Sequence, residues 1–313
     1  MASPVPQLPV VLIHGLLDIP ELTGNFREIE RVLCAMVGPD SYLRVQIPPV
    51  GSIEERSHSA MSQIAAKFSG LEVHLIGHSM GGINARDIAT KLDHYKPGFL
   101  VKTVTTMGTP HRGCKAIDLA PGHHGKEAFM KAVRTIIGTD LGAVGNLTAR
   151  FMTRFNAETP DNPHVRYFSW AGQTIIATPL FILAHPVTAI FGPTDGVVNV
   201  ESTMWGTHLG NVLGMDHLAV LSCYTIEATL PHLAAAERNQ VAPVLPVDNN
   251  LALSLMRRMD GNGRAIANTA TAPLKLLGTF LSPPSSRSQR SDGTLWGEAR
   301  VTTTTTSTSV RYL

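Results

Sequence analysis

Charge is scarce in this chain: of 313 residues only 16% are Asp, Glu, Lys or Arg, against 43% that are apolar. That balance excludes a solvated polyelectrolyte over most of the length and implies a large buried core. Neither sign dominates, the formal net charge being +2, so nothing overall points to nucleic acid as a partner. Cysteine is rare. The three present, Cys34, Cys114 and Cys223, are scattered and odd in number, which argues against a disulfide framework and for a reducing compartment. Basic residues are missing from Met1 to Pro9, which lead directly into Val10-Val11-Leu12-Ile13, so no signal peptide of normal form is read there and a cytoplasmic location is expected. Long unbroken apolar runs are also missing. The longest charge-free stretch, Tyr167 to Thr194, is interrupted by Pro179 and Pro186 and contains His185; it reads as a buried strand plus an apolar wall facing a ligand, not as a membrane span.

What is present alternates. Short β-rich runs at Val10–Ile13, Ser41–Gln46, Val73–Ile76, Val101–Met107, Val165–Trp170 and Ala189–Phe191 are separated by helical patterns such as Asn25–Met36 and Ser57–Phe68. This predicts an α/β fold with a mostly parallel central sheet flanked by helices. No strand is evident from Gly113 to about Pro163, and Phe129, Met130, Val133, Ile136 and Ile137 fall at helical spacing. A helical cap inserted at 113–163 is expected there; a lid over a lipid pocket and ordinary packing of an amphipathic helix are both open readings. A catalytic domain over 1–245 is expected to be followed by a basic tail over 246–313, with eight Lys or Arg against four Asp or Glu. The last 32 residues hold 14 Ser or Thr, a composition with little to bury, so the tail is expected to be largely disordered. Short amphipathic helices over Leu251–Met259 and Arg264–Leu281, touching the core or a membrane surface, are an alternative for part of it.

The strongest local signal is Gly77-His78-Ser79-Met80-Gly81, behind the apolar run Leu71–Ile76 and before the helix-forming Ile83–Ala89. Strand, sharp turn and helix in that order make a nucleophile elbow: two glycines leave room for a strained turn that lifts the Ser79 hydroxyl above the sheet. A serine nucleophile needs a base, an acid to orient that base, and donors for the developing oxyanion. Asp195, in the turn Gly192-Pro193-Thr194-Asp195-Gly196, is the best-placed acid. His217, in Gly214-Met215-Asp216-His217-Leu218, is the best-placed base, with Asp216 as the weaker alternative acid. His14, His78 and His111 sit where they shape loops, and His208 and His232 lack an acid in a comparable turn. The oxyanion donors are expected to be the backbone N–H groups of Met80, next after the nucleophile, and of Leu16, in the loop Ile13-His14-Gly15-Leu16.

These residues resemble those of the triacylglycerol lipases of the α/β-hydrolase superfamily, in the branch of the bacterial true lipases and their eukaryotic microbial relatives. The likeness covers about residues 8–235. It rests on Val10–Leu16, Gly77–Gly82, Thr105–Gly113, Leu147–Asn156, Gly192–Val197, Met204–Gly206 and Asp216–Leu218. It implies an α/β-hydrolase fold and hydrolysis of long-chain carboxylic esters with Ser79, Asp195 and His217 as the triad. The bacterial lipases usually bind a structural calcium near the histidine loop through an aspartate two residues after that histidine. Here the position is Ala219, followed by Val220 and Leu221, and a hard cation finds no oxygen ligands, so no metal is expected. His123 and His124 have no Cys or carboxylate at zinc-ligand spacing.

The expected function is therefore a serine ester hydrolase, a lipase, with no cofactor, a lipid or ester substrate and no nucleic acid. Contact with a membrane or lipid-droplet surface is an open expectation, and oligomeric state is not legible. The alternatives are an acyltransferase or phospholipase using the same triad, and a non-catalytic lipid-binding protein that kept the fold.

Overall fold

The computed structural model describes residues 5–16, 25–119, 122, 124, 127, 130, 131, 142–175, 181, 182 and 184–241. Most of the apolar stripe expected in the cap, His123, and everything expected beyond residue 241 lie outside the described residues.

Six strands, β1 (Val10–Ile13), β2 (Tyr42–Arg44), β3 (Glu72–His78), β4 (Leu100–Met107), β5 (Arg166–Gln173) and β6 (Thr207–Leu213), form one sheet in the order β2-β1-β3-β4-β5-β6. Every neighbouring pair is parallel. Parallel sheets need both faces covered, and this one is. Val11, Ile13, Val73 and Leu75 point into a core closed by α2 (Ile53–Phe68) and α3 (Met80–Thr90), through Ile64, Phe68, Ala85 and Ile88. Val10, Leu12 and Ile76 point the other way, against Ile29 and Leu33 of α1 (Asn25–Val37) and Leu230 and Leu233 of the Cys223–Glu237 helix. The period of two along each strand thus sorts its side chains between two apolar layers.

Helix starts are fixed locally. Ser52 and Glu55 make a reciprocal capping box at the head of α2, and Ser222 with Thr225 does the same for the Cys223–Glu237 helix. Between β4 and β5 the described residues form helices and turns, among them the Ala149–Glu158 helix, capped by Thr148. Beneath them lies a third apolar cluster that joins Met152 and Phe155 to Met80, Ile83, Ala184 and Val187. Among the described residues no helix is long and apolar enough to cross a membrane.

Two expectations need correction. Ala189–Phe191 is not a strand: His185–Ala189 is a short helix, and the chain then turns through Gly192 at φ 114°. Three apolar residues are too few to distinguish a strand from the end of a helix. The strand that pairs with β5 is instead β6, whose sequence Thr-His-Leu-Gly-Asn-Val-Leu is mostly half-exposed at the sheet edge and lacks a β-rich apolar run.

Candidate active site

β3 ends at His78 and α3 begins at Met80, leaving Ser79 alone to make the turn. It does so at φ 52°, ψ −127°, a region that costs a non-glycine residue strain and persists only where its surroundings over-determine it. The surroundings are glycine. A Cβ on Gly77 would stand 2.4 Å from the Gly81 carbonyl oxygen, and one on Gly81 would stand 2.2 Å from that of Ile13. Neither space exists for any side chain. The Ser79 N–H donates to Met107 O at 2.9 Å, tying the turn to the end of β4.

Asp195 sits in the loop between β5 and β6, folded on itself by an antiparallel bridge between Thr194 and Asn199. The Asn199 side chain donates to Thr188 O and Gly192 O. The Asp195 Oδ1 accepts from the N–H groups of Val197 and Val198 at 2.9 and 2.7 Å, which leaves Oδ2 pointing at His217.

His217 lies in the loop between β6 and the last helix. Its Nδ1 is 2.8 Å from Asp195 Oδ2 and its Nε2 is 3.0 Å from Ser79 Oγ. The carboxylate can only accept, so Nδ1 carries the proton and donates, and Nε2 is left to accept from the serine hydroxyl. Its backbone is held too, with its N–H on Asp195 O and its carbonyl accepting from His78 Nε2 at 2.7 Å. Phe181 stands edge-on to the imidazole at 6.0 Å between ring centres. Burial by itself would push this imidazole down, but the charge and hydrogen bond of Asp195, with the charge of Asp216, hold its pKa above the ordinary value of 6.5.

The Gly15 backbone lies directly against the nucleophile, since a Cβ there would be 2.8 Å from Ser79 Cβ. Leu16 follows Gly15 in that loop, and Met80 N–H, first in its helix, has no intrahelical partner. The Gly15 loop is fixed from behind. His14 Nδ1 donates to Gly15 O at 2.8 Å, and buried Arg56 donates to both His14 O and Gly15 O, at 2.6 and 3.1 Å, as well as to Pro48 O and Asn84 Oδ1.

Sequence comparison finds lipases among the curated relatives. The chain is 28% identical over 220 residues to Triacylglycerol lipase 2 of Saccharomyces cerevisiae, covering 66% of this chain and 64% of that protein. It is 28% identical over 249 residues to the triacylglycerol lipase of Vibrio cholerae, covering 67% and 76%. The chain is thus similar to triacylglycerol lipases. The mature lipase BlEst2 of Bacillus licheniformis superposes with a TM-score of 0.60 at 23% identity over 74% of this chain and 93% of that one, which shows the fold. Residues 9–156 also match the family model described as palmitoyl protein thioesterase. The match to the yeast relative spans just under two thirds of that protein's length.

The structure thus brings Ser79, Asp195 and His217 into one hydrogen-bonded line with the Gly15 and Met80 backbone beside it. The rival groups are engaged elsewhere. Asp216 Oδ1 accepts from the N–H groups of Leu218 and Ala219, a turn-capping role. His111 meets Thr106 and Arg86, His208 meets Ser169 and Asn211, and His232 packs on Phe168. Among the described residues no group of three or more His, Cys, Asp or Glu side chains could hold a metal ion, and the cysteines are free. Arg56 escaped sequence reading because it lies on a helix some forty residues from the loop it holds, with no local motif to announce the contact.

Proposed function

We propose that this protein is a serine carboxylic-ester hydrolase of the triacylglycerol lipase type. The observation that carries the reading is the unbroken line from Ser79 Oγ through His217 to Asp195. His217 Nε2 takes the Ser79 hydroxyl proton as Oγ adds to the ester carbonyl carbon. The Leu16 and Met80 N–H groups receive the oxyanion of the tetrahedral intermediate, and Asp195 holds the imidazolium in place. The imidazolium then protonates the leaving alkoxide, and the intermediate collapses to an acyl-enzyme. Water, deprotonated by His217, adds to the acyl carbon, and Ser79 leaves with the proton returned.

The chain from 1 to 245 serves as the catalytic unit, the 113–163 insertion as its cap and 246–313 as a tail. The lipase relatives support a lipid ester as substrate. Ile175, Ile182 and Ile190 are 91%, 59% and 72% exposed on the segment that carries Phe181, which supports work at a lipid surface. The match to the thioesterase model favours one second reading, in which the same acyl-enzyme is drawn from palmitoyl thioesters.

The test is hydrolysis of p-nitrophenyl esters from butyrate to palmitate, beside palmitoyl-coenzyme A, by the purified protein and its Ser79→Ala variant. Serine-dependent ester turnover that grows with chain length is expected. Thioester turnover without ester turnover would favour the second reading, and undiminished turnover in Ser79→Ala would defeat both.

A further inference from the structure

A trans peptide group is one rigid plane with its C=O and N–H on opposite sides. Whatever grips the oxygen therefore aims the hydrogen. The Ser79–Met80 peptide is the one whose N–H the proposed mechanism sends to the oxyanion, and the present inference rests on that reading. Its oxygen, Ser79 O, accepts from the Thr109 hydroxyl at 2.8 Å and from the Gly82 N–H at 3.0 Å.

Thr109 is fully buried in the segment that follows β4, Gly108–Gly113, a stretch with no part in the chemistry so far. It reaches the elbow only because Gly82 has no side chain: a Cβ there would stand 2.1 Å from Thr109 Oγ1. The Gly82 N–H bond alone is a short-range turn within the same strained loop. The Thr109 hydroxyl comes from a different strand end and so ties the peptide plane to the sheet. The Ser79 N–H is already held by Met107 O of β4, so both peptides flanking Ser79 are referred to that strand and the loop it leads into.

We propose that Thr109 is a positioning residue for the oxyanion site. Its hydroxyl orients the Ser79–Met80 peptide and, by drawing electron density toward the carbonyl, makes the Met80 N–H a stronger donor when negative charge develops. The other donor is built on the same plan. Gly15 O shares its peptide with Leu16 N–H, and it accepts from His14 and Arg56. Both donors are thus loaded from behind by side-chain hydrogen bonds on the opposite oxygen.

Thr109→Val keeps the shape and removes the donor, Thr109→Ser keeps the donor, and Thr109→Ala gives the same reading as valine should valine not fold. Three quantities are read on the full chain: kcat and KM for a p-nitrophenyl ester, the thermal midpoint, and the Met80 amide proton shift after selective 15N-methionine labelling. Removal of a whole oxyanion donor lowers kcat by about 10²–10³-fold, so its misalignment is expected to lower kcat by roughly five- to thirty-fold with KM little changed. Thr109→Ser should recover most of that, and the Met80 amide proton should move upfield in Thr109→Val alone. A folded hydroxyl-free variant with wild-type kcat, or with an unmoved Met80 amide, overturns the proposal, as does a Thr109→Ser variant as slow as valine. Absence of ester turnover in the unaltered protein would instead overturn the hydrolase reading, while the amide shift would still decide whether Thr109 polarises this peptide.

Discussion

Replacing Asp195 by Asn is the sharpest probe of the site, because the structure dictates which way the amide must face. Oδ1 accepts two backbone N–H groups, from Val197 and Val198, at 2.9 and 2.7 Å. Only an oxygen can take that place, so the Asn amide oxygen occupies it and the NH₂ is turned toward His217 Nδ1. A donor there forces Nδ1 to accept and moves the ring proton to Nε2, where it blocks acceptance of the Ser79 proton. The fold has little reason to change, since size and loop hydrogen bonds are kept. Loss of the tautomer in a serine triad costs about 10³–10⁴ in kcat, or roughly 4–5.5 kcal/mol in the barrier. The assay is kcat on p-nitrophenyl butyrate at neutral pH, with the His217 tautomer read from its 15N shifts. An Asp195→Asn variant within tenfold of the parent would refute the reasoning and throw the orienting role onto Asp216, the other carboxylate whose charge acts on His217.

Three further outcomes follow from the geometry. Because the mechanism uses neutral His217 and its pKa is held above 6.5, kcat/KM should be full above that pKa and fall as pH drops through it; His14, lowered by burial to about 4, and His78, lowered by burial to about 3, stay neutral throughout and add nothing to this limb. A midpoint at or below 6.5 in a pH–rate profile would contradict this assignment. In Gly15→Ala the new Cβ must push 2.8 Å from Ser79 Cβ and 3.2 Å from His78 O, so kcat should drop by about 10²-fold through displacement of the Leu16 donor, with thermal stability less affected, as paired kinetics and melting would show. Arg56→Met strips a donor from each of four acceptors, three of them buried, and should lower unfolding free energy by about 3 kcal/mol in urea titration; an unchanged midpoint would mean the loop holds itself.

Five of the six strands were legible in the sequence because parallel strands buried on both faces read as apolar runs, as Val10–Ile13 and Val73–Ile76 do. β6 hid because its side chains are mostly half-exposed and Thr207, His208, Gly210 and Asn211 break up any apolar run. The groups at Ser79, Asp195 and His217 were legible because each stands in a turn whose neighbours, Gly77 and Gly81 or Gly196, announce an unusual backbone. What stayed invisible acts across the chain. Arg56 on Gly15 O and Thr109 on Ser79 O are contacts between segments that carry no trace of each other, and only the closed sheet brings them together.

The hydrogen-bonded line spans 138 positions of chain, from an elbow at the centre of the sheet to a loop behind its outermost strand. A molecule that has folded β1 to β5 but not yet docked β6 has its nucleophile in place and no base to work it. Ester cleavage during refolding would therefore begin only once that edge strand has docked, and would clock its docking separately from the rise of helical signal.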